Sequence, residues 1–468
     1  MRSILAIGLL LASNLIASAA SKNVVLVVTD DQGQDAGCYG NLAIKTPNID
    51  ALAADGTLFK NAYCTTASCS PSRSVILTGL FNHANGQYGL EHADHHFSTF
   101  NNVKSLPAIL TAAGYRTARI GKFHVGPESV YHFDEALQGQ TRSPVEMAES
   151  CRKLIEAKSD QPFFLYFCTG DPHRAAVAKW APLQPNSFGN KRPGQTYPGV
   201  EPVHYKPEDV IVPPFLPDTP TCRAELAQYY ESVSRADAGL GRLIEILKHT
   251  GRYEDTLILF VSDNGIPFPG AKTGVYEPGL RLPCIVRNPD AKKHGVVTSA
   301  MVSWVDLVPT ILEYTGAKPP ENQKLHGRSF LPILSEEKPD GWDEIFASHT
   351  FHEVTMYYPM RVVRSGKFKL IWNIAHSLPF PFASDLWGSS TWQDSLKRGD
   401  DFMYGKRTIK NLVERPQFEL YDLEADPDEI HNLATDPQHA ATVAELETKL
   451  RQFQKRTDDP WLLKWNRE

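Results

Sequence analysis

NVVLVVTDDQG, residues Asn23 to Gly33, sets an unbroken run of valine and leucine ahead of a threonine, two aspartates, a glutamine and a glycine. An apolar run without alternation predicts a strand buried on both faces, as in a parallel sheet, that stops at a polar loop. The same texture returns in QPFFLYFCTGDPH (Gln161 to His173) and DTLILFVSDNG (Asp255 to Gly265), and more weakly in YRTARIGKFHVG (Tyr115 to Gly126). Each of these strands ends in side chains that can bind or carry charge.

Helical patterns alternate with the strands: Thr46 to Gly56, Ser105 to Gly114, Ala224 to Gly251 and Trp304 to Gly316, each closing on a glycine suited to the residue after a helix. Strand and helix in alternation predict an α/β fold, a large mostly parallel sheet between helical layers, with ligands at the carboxyl ends of the strands. Lys179 to Pro220 is rich in proline, glycine, asparagine and aromatic residues without period, and reads as a long surface excursion. Beyond Pro319 alternating stretches such as Met360 to Asn373 and Phe418 to Asn432, then an amphipathic helix near Ala441 to Arg456, predict a smaller antiparallel α+β subdomain. The expected division is 21–330 for the catalytic α/β part and 331–468 for the C-terminal part.

Arg2, the apolar run Ile4 to Leu11 and the small residues Ala17-Ser18-Ala19 read in order as a secretory signal over residues 1–20. Export to a periplasm, the medium or a lysosome follows, and no later apolar run has the length needed to span a bilayer. The net charge of −6, one unit more negative without Arg2, argues against a nucleic-acid or anionic-membrane surface. Cysteines stand at 38, 64, 69, 151, 168, 222 and 284, without C-x₂-C spacing. An odd count in an oxidising compartment leaves at least one unpaired, with Cys69 the candidate.

Asp30 and Asp31 close the first strand, and Asp263 and Asn264 close a later one. Alone, each pair reads as turn and cap chemistry; together at one sheet edge they form an oxygen-only site suited to Ca²⁺ or Mg²⁺. Lys122, His124, His173 and Lys272 add cations and proton carriers at the same edge, a pocket for a tetrahedral anion beside a divalent metal. Phosphoryl or sulfuryl transfer fits that set. CSPSR (Cys69 to Arg73) reads as a turn leading into a helix over RSVILTG, whose N-terminus favours anions. A thiolate nucleophile there and a group made from the thiol both remain open.

C-x-P-S-R followed by SVILTG, with TDDQG, GKFHVG, DPH, SDNG and the C-terminal ELYDLEADPDEIHNLA, resembles the type I sulfatases over nearly the whole chain from Asn23 to Trp465. The resemblance implies the alkaline-phosphatase-like sulfatase fold and a cysteine at 69 oxidised to formylglycine by a maturation enzyme. It further implies Ca²⁺ held by Asp30, Asp31, Asp263, Asn264 and residue 69. Arg73 would orient the hydrated aldehyde, and Lys122, His173 and Lys272 would hold the sulfuryl oxygens. His173 or Lys272 would protonate the leaving group, and His124 would take a proton from residue 69. HHFSTFNNVKSLP, KFHVGPESVY, SDNGIPFPG and FHEVTMYYPMRVVR resemble most the heparan N-sulfatase branch, whose substrate is the N-sulfate of glucosamine in heparin-like and heparan-like saccharides. Lys272 stands where that branch carries arginine, which keeps an O-sulfatase on another glycan as the alternative; a phosphate or phosphonate monoester hydrolase of the same fold is the weaker one. His352 and Glu353 are the candidate sugar contacts, against a role bracing the C-terminal part. The expected partners are a sulfated glycan and the maturation enzyme, with homodimerisation left open.

Overall fold

The computed structural model describes residues 22–175, 188–190 and 196–467. Residues 1–20, the stretch expected as a secretory signal, and part of the Lys179–Pro220 excursion lie outside the described residues.

The strands of the large sheet are β1 (Asn23–Thr29), β2 (Thr57–Tyr63), β3 (Arg116–Gly121), β4 (Glu135–Leu137), β5 (Phe163–Cys168), β6 (Thr256–Ser262), β7 (Arg281–Leu282), β8 (Cys284–Arg287) and β9 (Val296–Ser303). They run in the order β4-β3-β5-β1-β6-β8-β2-β7, with β9 beside β2. β1 is parallel to both neighbours, with Val28 opposite Cys168 and Thr29 opposite Ser262. Gly121 in turn pairs with Cys168. The four polar loops foreseen in the sequence therefore begin at one level of one edge, on both sides of the central strand.

Every residue of β1 is buried. Val24, Leu26 and Val28 join the apolar cluster on one face, and Val25 and Val27 join that on the other. This is what an uninterrupted apolar strand between two helical layers requires, because successive side chains point to opposite faces. The long helix Pro220–His249 covers one layer. It starts before Ala224 because Thr219 caps it, accepting from Cys222 N at 3.2 Å.

The helix carrying Cys69 also begins earlier than the sequence suggests. It spans Cys69–Thr78, so CSPSR forms its first turn rather than a preceding loop. Proline is tolerated there because the first-turn N–H groups have no helical partner. The extended Ser68 (φ −147°, ψ 134°) marks the start, and Gly79 (φ 66°) closes the helix in the left-handed region.

In the C-terminal part, β10 (Glu344–His349), β11 (Met360–Ser365), β12 (Phe368–Asn373) and β15 (Phe418–Asp422) form an antiparallel four-stranded sheet in that order, while β13 (Met403–Tyr404) and β14 (Arg407–Thr408) pair separately. Leu446, Leu450 and Phe453 of the helix Ala440–Arg456 are buried at helical spacing. The Phe453 ring lies 4.5 Å from Phe346 and 4.8 Å from Phe81, tying this sheet to the segment that follows the helix Cys69–Thr78. Among the described residues no helix is long and apolar enough to cross a membrane.

Candidate active site

Cys69 is at the first position of its helix and fully buried. Its Sγ lies 3.7 Å from Asp31 Oδ1 and 3.6 Å from Asn264 Nδ2, so the loops after β1 and β6 both close on it. Asp31 adopts φ 64°, a conformation uncommon outside glycine, and its N–H donates to Asp263 Oδ1 at 3.0 Å. That contact locks the two loops together. One turn along the helix, the buried Arg73 donates from Nε to Asp263 Oδ2 (2.8 Å) and from Nη1 to Lys122 O (2.8 Å), while its Nη2 stands 3.6 Å from Asp30 Oδ1.

The cations are distributed over the carboxylates. Lys122 Nζ donates to both oxygens of Asp30, at 2.8 and 2.6 Å. Lys272 Nζ donates to Asp31 Oδ2 (2.8 Å), to Asp385 Oδ2 (2.8 Å) and to His173 Nε2 (3.0 Å). His173 is aimed from behind. Asp171 accepts from Arg142, Arg235 and Ser232, and Arg142 Nη2 also donates to His173 O at 2.7 Å. Asp385, on the short helix Ser384–Trp387, escaped the sequence reading. Its only sequence signal is an acid in a helical first turn, and it is 113 positions from Lys272.

Burial and charge set the protonation states. Burial resists ionisation of Asp30, yet Lys122, with Arg73, outweighs it and holds the carboxyl well below its ordinary range. Asp31 is pushed up to about 7, by burial and by the nearby Asp30 and Asp263, with Lys272 opposing. Lys272 is buried, but Asp31 and Asp385 hold it firmly as an ammonium. Burial, with Lys272 and Lys122 beside it, keeps His173 neutral far below its ordinary value. The Cys69 thiol is driven well above its ordinary value by burial, which Lys122 and Lys272 do not overcome. A resting thiolate is the wrong chemistry for this position, since reactive cysteines need the opposite shift.

One ligand atom each from Asp30, Asp31, Cys69 and His173 all lie within 4.8 Å of one another. Asn264 Oδ1 is buried with no hydrogen-bond partner, although its Nδ2 donates to Asp263 Oδ1 at 2.9 Å. An unpaired buried acceptor beside crowded carboxylates fits a hard cation with oxygen ligands. Asp263 is brought to the same place, but its oxygens already accept from Arg73, Asp31 N and Asn264.

His352 and Glu353, the candidate sugar contacts, sit beside the segments that carry Cys69 and Asp385. Buried His352 meets Ser68 Oγ through Nδ1 at 2.8 Å, just before Cys69, and Glu353 Oε1 accepts from Ser384 N at 2.7 Å, just before Asp385. His124 Nε2 is 2.5 Å from His92 Nδ1, a second contact the sequence did not disclose. All seven cysteines are free.

A buried cysteine at a helix N-terminus, facing strand-end carboxylates and a ring of cations, sets a pocket for a tetrahedral anion at the strand ends of an alkaline-phosphatase-like fold. The chain belongs to the sulfatase family, whose profile, described as Sulfatase, matches residues 22–317. By class it is a sulfuric ester or sulfamate hydrolase. A second profile, N-sulphoglucosamine sulphohydrolase, C-terminal, matches residues 271–378. The N-sulphoglucosamine sulphohydrolase of Homo sapiens is 42% identical over 469 residues, covering 95% of this chain and 92% of that protein. An ulvan-active sulfatase of Formosa agariphila is 29% identical, covering 91% of this chain and 78% of that one. A solved structure of a protein in complex with its substrate D-glucosamine-2-N,6-O-disulfate shares the fold, with TM-score 0.66 and 23% identity over 94% of this chain and 99% of that one.

Proposed function

We propose that this chain is a calcium- and formylglycine-dependent sulfatase that removes the N-sulfate of glucosamine from heparin-like or heparan-like saccharides. The observation that carries the reading is the setting of Cys69, buried at a helix N-terminus between Asp31 and Asn264 with its thiol held protonated. A position built to attack yet hostile to a thiolate calls for another nucleophile, and conversion of Cys69 to formylglycine by a maturation enzyme supplies a hydrated aldehyde. The choice of N-sulfate rests on the human relative.

Asp30, Asp31, Asp263 and Asn264 would hold calcium, which when bound supplies a Lewis acid beside residue 69. Arg73, fixed by Asp263 and the Lys122 carbonyl, orients residue 69 and balances negative charge developing there. Lys122, Lys272 and His173 face the sulfuryl oxygens. The hydrogen bond between Lys272 and His173 provides a proton for the departing nitrogen, and His124 accepts one from residue 69. His352 and Glu353 are the candidate contacts for the sugar, from positions that also hold Ser68 and Ser384. Residues 21–330 form the catalytic part and 331–468 the smaller one, and export delivers the chain to a periplasm, the medium or a lysosome.

Lys272, in place of the arginine of the N-sulfatase branch, favours an O-sulfatase as the second reading. Free-sulfate release from N-sulfated and from 6-O-sulfated glucosamine saccharides separates the two: release from the second alone overturns the N-sulfate assignment. Mass spectrometry of the residue-69 peptide after co-expression with the maturation enzyme should show the aldehyde, and unmodified cysteine in active enzyme would sink the formylglycine reading.

A further inference from the structure

We propose that His92 is the proton outlet of the active site, passing to solvent the proton that His124 receives. The inference rests on the reading of His124 as the base for residue 69. The two rings meet with His92 Nδ1 and His124 Nε2 2.5 Å apart, so a single proton sits between them, donated by one nitrogen and accepted by the other. His124 Nδ1, on the other side of its ring, is buried without a hydrogen-bond partner. His92 is exposed. The pair therefore joins a free buried nitrogen to the solvent through two rings.

Packing fixes this geometry. His124 holds φ 58°, a left-handed conformation that a non-glycine residue adopts only when its surroundings impose it. The loop bearing His92 is docked on the nucleophile helix, where Glu91 N donates to Ser70 Oγ at 3.1 Å, and on the C-terminal part, where Leu90 N donates to His352 O at 2.8 Å. Lys122, Arg73 and Asp30 surround His124; burial and the first two, with His92, keep it neutral. His95, Lys122, Glu91 and Glu353 surround His92, and burial with the first two lowers it as well. Two neutral rings suit a relay, because neither traps the proton.

The step balances. His124 Nδ1 accepts a proton from the hydroxyl of residue 69, and the proton on His124 Nε2 moves to His92 Nδ1. His92 releases its own Nε2 proton to water or buffer, leaving both rings neutral in the opposite tautomer. The pair resets when water gives a proton back to His92 Nε2, the shared proton returns to His124 Nε2, and His124 Nδ1 yields its proton to water that enters as sulfate leaves.

The test is steady-state sulfate release by formylglycine-bearing, calcium-loaded enzyme, on N-sulfoglucosamine and in parallel on 4-nitrophenyl sulfate, across a series of imidazole concentrations. His92→Gln keeps an acceptor for His124 but cannot pass a proton. Its KM should stay within about twofold while kcat falls about tenfold, less than the hundredfold or more that accompanies loss of a base, and imidazole should restore kcat. His92→Ala should be rescued likewise. Wild-type kcat in His92→Gln, or a loss that imidazole leaves untouched, overturns the relay. Wild-type kcat in His124→Ala overturns the base reading and the relay with it, whereas a crippled His124→Ala beside a normal His92→Gln overturns the relay alone.

Discussion

Asn264 uses the two ends of its amide differently: Nδ2 donates to Asp263 and faces Cys69, while Oδ1 is buried and unpaired. An unmet buried acceptor is destabilising by about 1–3 kcal/mol, so a bound cation should recover that and more. Calcium at a hundred times its Kd should stabilise the chain by about 2.7 kcal/mol, read as a rise in thermal midpoint. Asn264→Ala should weaken calcium binding at least tenfold, about 1.4 kcal/mol of that gain. An unchanged calcium response would remove Asn264 from the ligand set. The sign of the pH dependence follows from Asp31. Its carboxyl is raised from 3.8 to about 7 in the metal-free fold, which therefore holds a proton the unfolded chain has lost. Metal-free stability falls as pH rises through that window. Calcium bound to Asp31 would have to displace this proton, so the midpoint rise it causes should be larger at pH 8 than at pH 5.

Asp385 brings a short helix of the C-terminal part into contact with a loop of the large sheet. Its hydrogen bond to Lys272 gives that ammonium a second carboxylate besides Asp31. Asp385→Asn keeps the shape and removes the charge; a hydrogen bond to a charged group contributes about 1.5–3 kcal/mol. We expect kcat/KM to fall by about ten- to a hundredfold in a chain that still folds, and an unchanged kcat/KM would make Asp385 a bystander. Elements of this kind were the illegible ones. The ends of β1, β3, β5 and β6 could be read directly, because an apolar run followed by aspartate, lysine or histidine is a local signal and parallel register aligns the ends. Cys69, Arg73, Lys122, His173, Lys272 and Asn264 consequently converge where the sequence placed them. The Cys69 helix starts four residues ahead of RSVILTG, because a helical first turn accommodates the Pro71 and hydroxyls that also suit a turn. Asp385 and His92 come from connections without period, and only the tertiary fold brings them to Lys272 and His124.

At the scale of the whole molecule, the two sheets are joined by a polar seam that includes two buried histidines. His83 reaches Ser348 Oγ of β10 through Nδ1 at 3.0 Å and Thr457 Oγ1 through Nε2 at 2.9 Å; His349, at the end of β10, reaches Thr66 Oγ1 at 3.3 Å. Burial pushes each down from 6.5 to about 3, with Arg361 adding to the effect and Asp459 opposing it at His83. Both are neutral in the fold, whereas the unfolded chain protonates them below its ordinary histidine range. The unfolded state therefore binds more protons as pH falls, and stability present above pH 6.5 is progressively lost down to about 3. Over the fall from 6.5 to 5, each contributes a loss of about 2 kcal/mol. Urea midpoints of the calcium-loaded chain should accordingly drop between pH 7 and pH 5, and His83→Gln, neutral throughout, should lessen that loss by about 2 kcal/mol whatever it does to stability at pH 7. A slope unchanged by His83→Gln would place the acid sensitivity elsewhere. Only Ala67 and Ser68 separate Thr66 from the helix Cys69–Thr78, so protonation of His349 acts next to Cys69, and activity should decline with falling pH ahead of bulk unfolding.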